Sequence, residues 1–309
     1  MQEKEQDNKV IREQIQKLEE DIGSVEVQGA TNVALATLEG MRLAAQLKTE
    51  NLLEEVETVG YSLSHTRDNE PLARNAVRFV LSSIKGNNVL AEILSSIEEF
   101  KVILDQAKSK IKEYAVEELD QYEVILTHCH SSTSTQALIA LARRKPSLKI
   151  VATETRPLYQ GRRTAKELVK AGVDVTMIVD SASASFIVDD RYLPVGAVVI
   201  GCDEIHKGGA VVNKVGSYQI ALAAKQGNDK LYVLTTLLKL DPKTQEALPS
   251  IEMRPAREVW EQAPEDLNII NPAFEIIPAK LVTGYITEAG VLSANELEKA
   301  LYEKYSWTD

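Results

Sequence analysis

The chain has 309 residues, more than one domain usually holds, so two domains are expected. A formal net charge of −11 argues against a general binder of nucleic acid or anionic membrane, since both need positive surface, and leaves room only for a local basic pocket. The two cysteines, Cys129 and Cys202, lie in unlike contexts, and the charged N-terminus carries no apolar signal region. No apolar run approaches the roughly 20 residues a bilayer span needs, so a cytoplasmic protein without a structural disulfide is expected.

Residues 1 to about 20 are highly charged, with Val10, Ile11, Ile15 and Leu18 spaced as a helix stripe. A short junction, Ser24 to Asn32, then feeds a second helical pattern carrying Val33, Ala34, Leu38, Met41, Leu43 and Leu47. That junction is either a plain helix connector or, at Gly29-Ala30, a helix N-terminus suited to an anion. The polar run Ser64 to Asn75 reads as a loop entering a helix, with Glu70 and Pro71 fitted to its first turn. From residue 87 to 119 the apolar residues Leu90, Ile93, Leu94, Ile97, Phe100, Ile103, Leu104, Ala107, Ile111 and Tyr114 follow the helical rule closely. Residues 1–119 are therefore expected to form an N-terminal helical domain.

After Asp120 the pattern changes to short runs rich in Val and Ile: Val124–Leu126, Ile150–Ala152, Val173–Val179, Ala197–Ile200, Leu231–Leu234 and Leu281–Ile286. Strands this uniformly apolar suit a parallel sheet buried on both faces, so residues 120–309 are expected to form an α/β domain. Polar motifs stand just beyond several strand ends, at Thr127–Ser131, Thr153–Gly161, Gly201–Glu204 and Thr235–Lys239. Ligands of open α/β sheets collect at that carboxyl edge. The stretch Thr127-His128-Cys129-His130-Ser131 has a thiol at the apex of a strand-to-helix turn, where a helix N-terminus lowers a cysteine pKa. A small buried cysteine beside a capped helix fits the same residues. His128 and His130, spaced i and i+2, share a face if extended, but no paired metal-ligand pattern, Walker motif, complete G-x-G-x-x-G fingerprint or nucleophile elbow accompanies them. Cys202 reads as packing, and Arg162, Arg163 and Lys166 as the solvated face of a helix.

Together these motifs resemble the family that joins ribose-1,5-bisphosphate isomerase, methylthioribose-1-phosphate isomerase and the regulatory subunits of translation initiation factor 2B. The resemblance covers nearly the whole chain. It is carried by Thr127-His128-Cys129-His130-Ser131, Thr153-Glu154-Thr155-Arg156-Pro157 with Gln160-Gly161, Gly201-Cys202-Asp203 and Gly209 to Gly216. Asn271-Pro272-Ala273-Phe274-Glu275 and Ile286-Thr287-Glu288-Ala289-Gly290 are most similar to the archaeal ribose-1,5-bisphosphate isomerases. The resemblance implies a helical domain followed by a Rossmann-like domain, a dimer or hexamer of identical chains, and a catalytic pair at Cys129 and Asp203. By the same resemblance Gly29, Ala30, Arg67, Arg156 and Lys239 would hold phosphate, Asn213 and Lys214 would orient sugar hydroxyls or an oxyanion, and Ser131 and Gln160 would add polar contacts.

The implied reaction is an aldose–ketose isomerisation of ribose 1,5-bisphosphate to ribulose 1,5-bisphosphate, with no metal or organic cofactor. Asp203 would act as acid and Cys129 as thiolate base. Methylthioribose 1-phosphate is the alternative substrate. A non-catalytic regulatory subunit binding initiation factor 2 is the alternative role, and AMP, which links the family to AMP metabolism, is a conceivable effector. The chain departs from the isomerase pattern at Gln28, where they carry Arg, at Ser132, where the nearest carry Lys, and at Asp68, where Pro follows the arginine.

Overall fold

The computed structural model describes residues 2–86, 88–189, 192–242, 244 and 251–308. The chain divides into two compact units, one of Met1–Gln106, Leu238–Leu240 and Leu301–Asp309, the other of Ala107–Leu237 and Asp241–Ala300. The division falls inside a single long helix. Among the described residues no helix is long and apolar enough to cross a membrane.

The first unit is helical, as the periodicity predicts. It contains α1 (Gln2–Gly23), α2 (Ala30–Ala44), α3 (Leu52–Ser64), α4 (Pro71–Ser82) and the first part of α5 (Val89–Leu119). Helix α4 starts where the sequence places it, with Glu70 at the cap and Pro71, whose missing N–H costs nothing there, in the first turn. The third helix, α3, is an element that the sequence reading passes over. Val33, Leu38 and Met41 of α2, Val56 and Leu63 of α3, Leu72 and Val80 of α4, and Ile93, Ile97 and Phe100 of α5 are buried. Each such side chain contributes roughly 1.5–3 kcal/mol. Phe79 packs against Phe100 (5.4 Å between centroids) and Trp307 (5.1 Å), tying the C-terminal turn to this core.

The second unit is built from the elements that follow, β1 (Val124–His128), α6 (Ser132–Arg144), β2 (Lys149–Thr153), α7 (Gln160–Lys170), β3 (Asp174–Ile178), α8 (Ser183–Val188), β4 (Ala197–Ile200), β5 (Glu204–His206), β6 (Val211–Lys214), α9 (Ser217–Gly227), β7 (Lys230–Leu234), β8 (Leu240–Asp241), β9 (Phe274–Ile277), β10 (Gly284–Thr287), β11 (Gly290–Leu292) and α10 (Leu297–Lys304), except that Leu240 of β8 and the last turn of α10 count with the first unit. Its main sheet has the order β11-β10-β7-β4-β1-β2-β3, parallel except for the β10–β11 hairpin. Ile125, Ile150, Val199, Leu234 and Ile286 from the strands meet Ala137, Leu138, Leu141 and Leu168 from helices in one core.

One expectation is corrected, and one feature is added. The run Val173–Val179 is not a strand buried on both faces: β3 is the sheet edge, and Met177 and Val179 are exposed. A second sheet, β8-β5-β6-β9, was not foreseen either; β6 runs antiparallel to both β5 and β9. Asn213 and Lys214 are thus the end of a strand, β6.

Candidate active site at the carboxyl edge of the sheet

Strands β1, β2 and β3 run outward in one direction from the middle of the sheet, while β4 and β7 lie on the other side of β1. The strand order therefore reverses between β1 and β4, and a ligand crevice is expected beyond their carboxyl ends. His128 pairs in register with Ile200, so the segments leaving these strands start side by side. One of them carries Cys129 and the other Asp203.

Cys129 sits in the left-handed region (φ 67°), which turns the chain sharply out of β1. Two hydrogen bonds hold that strained backbone. Its N–H donates to the Thr155 hydroxyl (2.9 Å), and its carbonyl accepts from the Thr164 hydroxyl (2.8 Å). Since Thr164 spends its proton there, the His130 Nδ1–H must be the donor in the 3.0 Å contact with Thr164. Ser131 caps α6, its hydroxyl accepting from Ser134 N–H (3.2 Å). Gly201 packs directly on Ser131; a Cβ there would lie 2.7 Å from the serine Cβ.

His128 is buried at the end of β1. Its Nε2–H donates to the Val215 carbonyl (2.9 Å), which leaves Nδ1 to accept from the Thr153 hydroxyl (2.6 Å). The two imidazoles therefore turn to different partners. Asp180, just beyond β3, accepts from the N–H groups of Thr155 (2.7 Å) and Arg156 (2.6 Å) and thereby fixes the loop after β2.

The charge environment differs from the one the sequence suggests. Burial of the Cys129 thiol pushes it up to about 11; the Lys214 ammonium pulls it down, and the Asp203 carboxylate adds to the rise. Desolvation outweighs the effect of a nearby helix N-terminus, so the expected lowering is corrected. Burial also lowers both His128 and His130. Below the ordinary histidine pKa the unfolded chain takes up protons that these folded imidazoles refuse, so stability present above that pH is lost as pH falls. Thermal melting is expected to drop by several degrees between about pH 7 and 5. The His128→Gln variant should show a shallower drop in the same melts.

The α/β unit places Cys129, Ser131, Arg156, Gln160, Asp203, Asn213 and Lys214 along this edge. Lys214 stacks its ammonium 4.3 Å over the Phe274 ring. Asn213 is buried and donates to the Ser217 hydroxyl (2.8 Å). The side-chain oxygen of Gln160 is buried with no hydrogen-bond partner, as are the hydroxyls of Ser134 and Thr135 in the first turn of α6. Arg156 donates to Pro157 O (3.1 Å), the Tyr159 hydroxyl (2.8 Å) and Val259 O (2.7 Å). Cys202 is buried, its Sγ 3.0 Å from the Thr235 hydroxyl.

The other four residues belong to the helical unit. Gly29 (φ 86°) precedes α2, which opens at the buried Ala30. Arg67 forms a buried ion pair with Glu70 (3.1 Å), and Lys239 ends the 3-10 turn Leu237–Lys239. Thr153, Thr155, Thr164, Asp180 and Val215 escaped the sequence reading as site-builders. The only signal for Asp180 was an acidic residue just past a strand end.

Among the described residues no group of three or more His, Cys, Asp or Glu is placed to hold a metal ion. An open, mostly parallel α/β sheet with a thiol and a carboxylate on the segments leaving either side of its switch point defines the class of Rossmann-like proteins. Within it, residues 26–294 match the initiation factor 2 subunit family, to which the chain belongs. The chain is 34% identical to ribose 1,5-bisphosphate isomerase of Archaeoglobus fulgidus, over 91% of this chain and 90% of that one. It is 32% identical to methylthioribose-1-phosphate isomerase of Heliobacterium modesticaldum, over 90% and 87% of the two chains. The solved structure of translation initiation factor eIF-2B from Pyrococcus horikoshii OT3 superposes with a TM-score of 0.80 at 25% identity, over 90% of this chain and 96% of that one.

Proposed function

We propose that this protein is a sugar-phosphate isomerase that converts ribose 1,5-bisphosphate into ribulose 1,5-bisphosphate, with Cys129 and Asp203 as its proton-transfer pair. The observation that carries the reading is the placement of Cys129 and Asp203 on either side of the sheet's switch point, with Lys214 acting on the same thiol. The isomerases among the relatives support it.

Asp203 donates a proton to the ring oxygen as the bond from that oxygen to carbon 1 breaks, and the bonding pair stays on the oxygen. The Cys129 thiolate removes the proton on carbon 2, and the freed pair forms the carbon 1–carbon 2 double bond. Asp203 then takes the proton of the carbon 2 hydroxyl, whose oxygen becomes the ketone, while the Cys129 thiol returns a proton to carbon 1. Lys214 stabilises the thiolate and the developing oxyanion. The unpartnered Gln160 oxygen and the Ser134 and Thr135 hydroxyls supply polar contacts for sugar hydroxyls or phosphate. Assembly into a dimer or hexamer is part of this proposal.

Incubating the protein with ribose 1,5-bisphosphate and following ribulose 1,5-bisphosphate by NMR tests it. Asp203→Asn, which keeps the shape and loses the acid, is expected to slow turnover by about 10² or more. Unchanged turnover in that variant refutes the assignment. Running methylthioribose 1-phosphate beside it decides the substrate. The eIF-2B likeness, together with Gln28 and Ser132 in place of cations, favours a second reading as a regulatory subunit. Capture of the initiation factor 2 alpha subunit without turnover of either sugar would select that reading.

A further inference from the structure

We propose that His128 is a positioning residue that ties the Lys214 end of β6 to the turn carrying Cys129, so that the Lys214 ammonium acts on the thiol. This rests on Cys129 being the reacting thiol of the proposed isomerase. His128 itself has no ring nitrogen left for substrate, since Thr153 occupies Nδ1 and the Val215 carbonyl occupies Nε2. It acts through what it ties together.

At one end it is the residue before Cys129, locked in β1 by pairing with Ile200. At the other it grips the carbonyl of the residue after Lys214. Gly216, the next residue along, lies flat against the imidazole: a Cβ there would sit 2.9 Å from Cε1 and 3.1 Å from Nε2, and its φ of 104° also favours glycine. The ring is thus clamped between Thr153 at the end of β2 and the Lys214–Gly216 turn. A second chain of contacts runs from the same ring to the thiol turn. The Thr153 hydroxyl, which donates to His128, stands 3.4 Å from the Thr155 hydroxyl, which accepts the Cys129 N–H. One buried side chain therefore sets the spacing between the turn that carries the thiol and the strand end that carries the cation.

The cation matters because the other charges facing the thiol work against its ionisation. Lys214 from β6 favours the thiolate; Asp203 after β4 and Asp180 after β3 oppose it. His130, on the far side of the turn, faces Arg163 and Glu167 of α7. A drift of Lys214 leaves only the hydrogen bond from the His130 N–H to offset the two carboxylates.

The test is the rate at which iodoacetamide alkylates Cys129 in the substrate-free protein, mapped by peptide mass spectrometry across a pH series. Thiolate is the reacting form, so the wild-type rate is expected to climb about tenfold per pH unit on the way to pH 11. Lys214→Met and His128→Phe are each expected to cut the rate at a fixed mildly alkaline pH roughly threefold to tenfold, and the double variant no further than the larger single effect. His128→Gln, whose amide both accepts from Thr153 and donates to Val215, is expected to stay within about twofold of wild type. Thr153→Val, which removes the donor to Nδ1, tests the same link if the phenylalanine variant does not fold, and is expected to slow alkylation. The proposal is overturned if His128→Phe or Thr153→Val leaves the profile unchanged, or if the two effects multiply in the double variant. It is also overturned if labelling of buried Cys202 rises in step with that of Cys129, the mark of general loosening. No substrate enters the measurement, so its outcome is separate from whether the protein turns over a sugar.

Discussion

Cys129→Ser is expected to lower turnover of ribose 1,5-bisphosphate by about three orders of magnitude, with melting unchanged within a few degrees. The structural half of that expectation follows from the backbone. The left-handed conformation at position 129 is held by the Thr155 and Thr164 hydroxyls acting on its main-chain N–H and C=O, and these bonds do not depend on the side chain at 129. Serine is close in size, so the sharp turn out of β1 persists. The chemical half follows from acidity: a thiol, even one pushed up to about 11, ionises far more readily than an alcohol in the same place. Lys214 offsets part of the burial for a thiolate and has too little leverage to do so for an alkoxide. NMR of the product, with circular dichroism melts of both proteins, checks the two halves together. Retention of more than a tenth of wild-type turnover in a folded variant removes Cys129 from the mechanism, whereas absence of turnover in the wild type removes the isomerase reading itself.

The candidate site was legible where chemistry and local pattern coincide. Apolar runs such as Val124–Leu126 and Ala197–Ile200 stop abruptly at Thr127 and Gly201, so Cys129 and Asp203 could be placed beyond strand ends without knowing which strands are neighbours. What escaped depends on pairing across the sheet. Asp180 becomes a clamp for the Thr155–Arg156 peptide only because β3 lies next to β2, and no local feature reports that. Glu275 shows the same thing from the other direction. Its motif was visible, but its role, accepting from the N–H groups of Gly216 and Tyr218 at the start of α9, comes from β9 pairing with β6. The sign of the Cys129 shift was misread for a related reason. A helix N-terminus is visible in a dozen residues, while desolvation depends on everything packed around the thiol. Arg156, which the resemblance assigns to phosphate, donates to the Pro157 and Val259 carbonyls and to the Tyr159 hydroxyl, partners that only the folded loop brings to it.

Gly161→Ala is expected to destabilise the α/β unit by about 2–4 kcal/mol, a sign opposite to the one its helical position suggests. Position 161 is the second residue of α7, and at an open helical site glycine to alanine stabilises by roughly 0.4–1 kcal/mol through helix propensity and reduced freedom of the unfolded chain. Here the space is filled by backbone. A Cβ would lie 1.8 Å from the Thr153 carbonyl oxygen and 2.8 Å from the Thr155 hydroxyl, so α7 has to lift away from the end of β2. The carbonyl belongs to the last residue of β2, which is held in register with Ile178 of β3 and so resists turning aside. The lift reaches the candidate site through Thr155, the acceptor for Cys129 N–H, and through Thr164 of α7, the donor to Cys129 O. A fall in melting temperature on the order of 5–15 °C is expected, given roughly 2–4 °C per kcal/mol for a unit of this size. Turnover should decline with it, because the turn that presents the thiol loses both of its anchors. Urea titration and thermal melts read the sign directly. A Gly161→Ala protein as stable as wild type or more so would mean that helix propensity, not the contact with Thr153, governs this position, and that the turn carrying Cys129 does not depend on how closely α7 packs against β2.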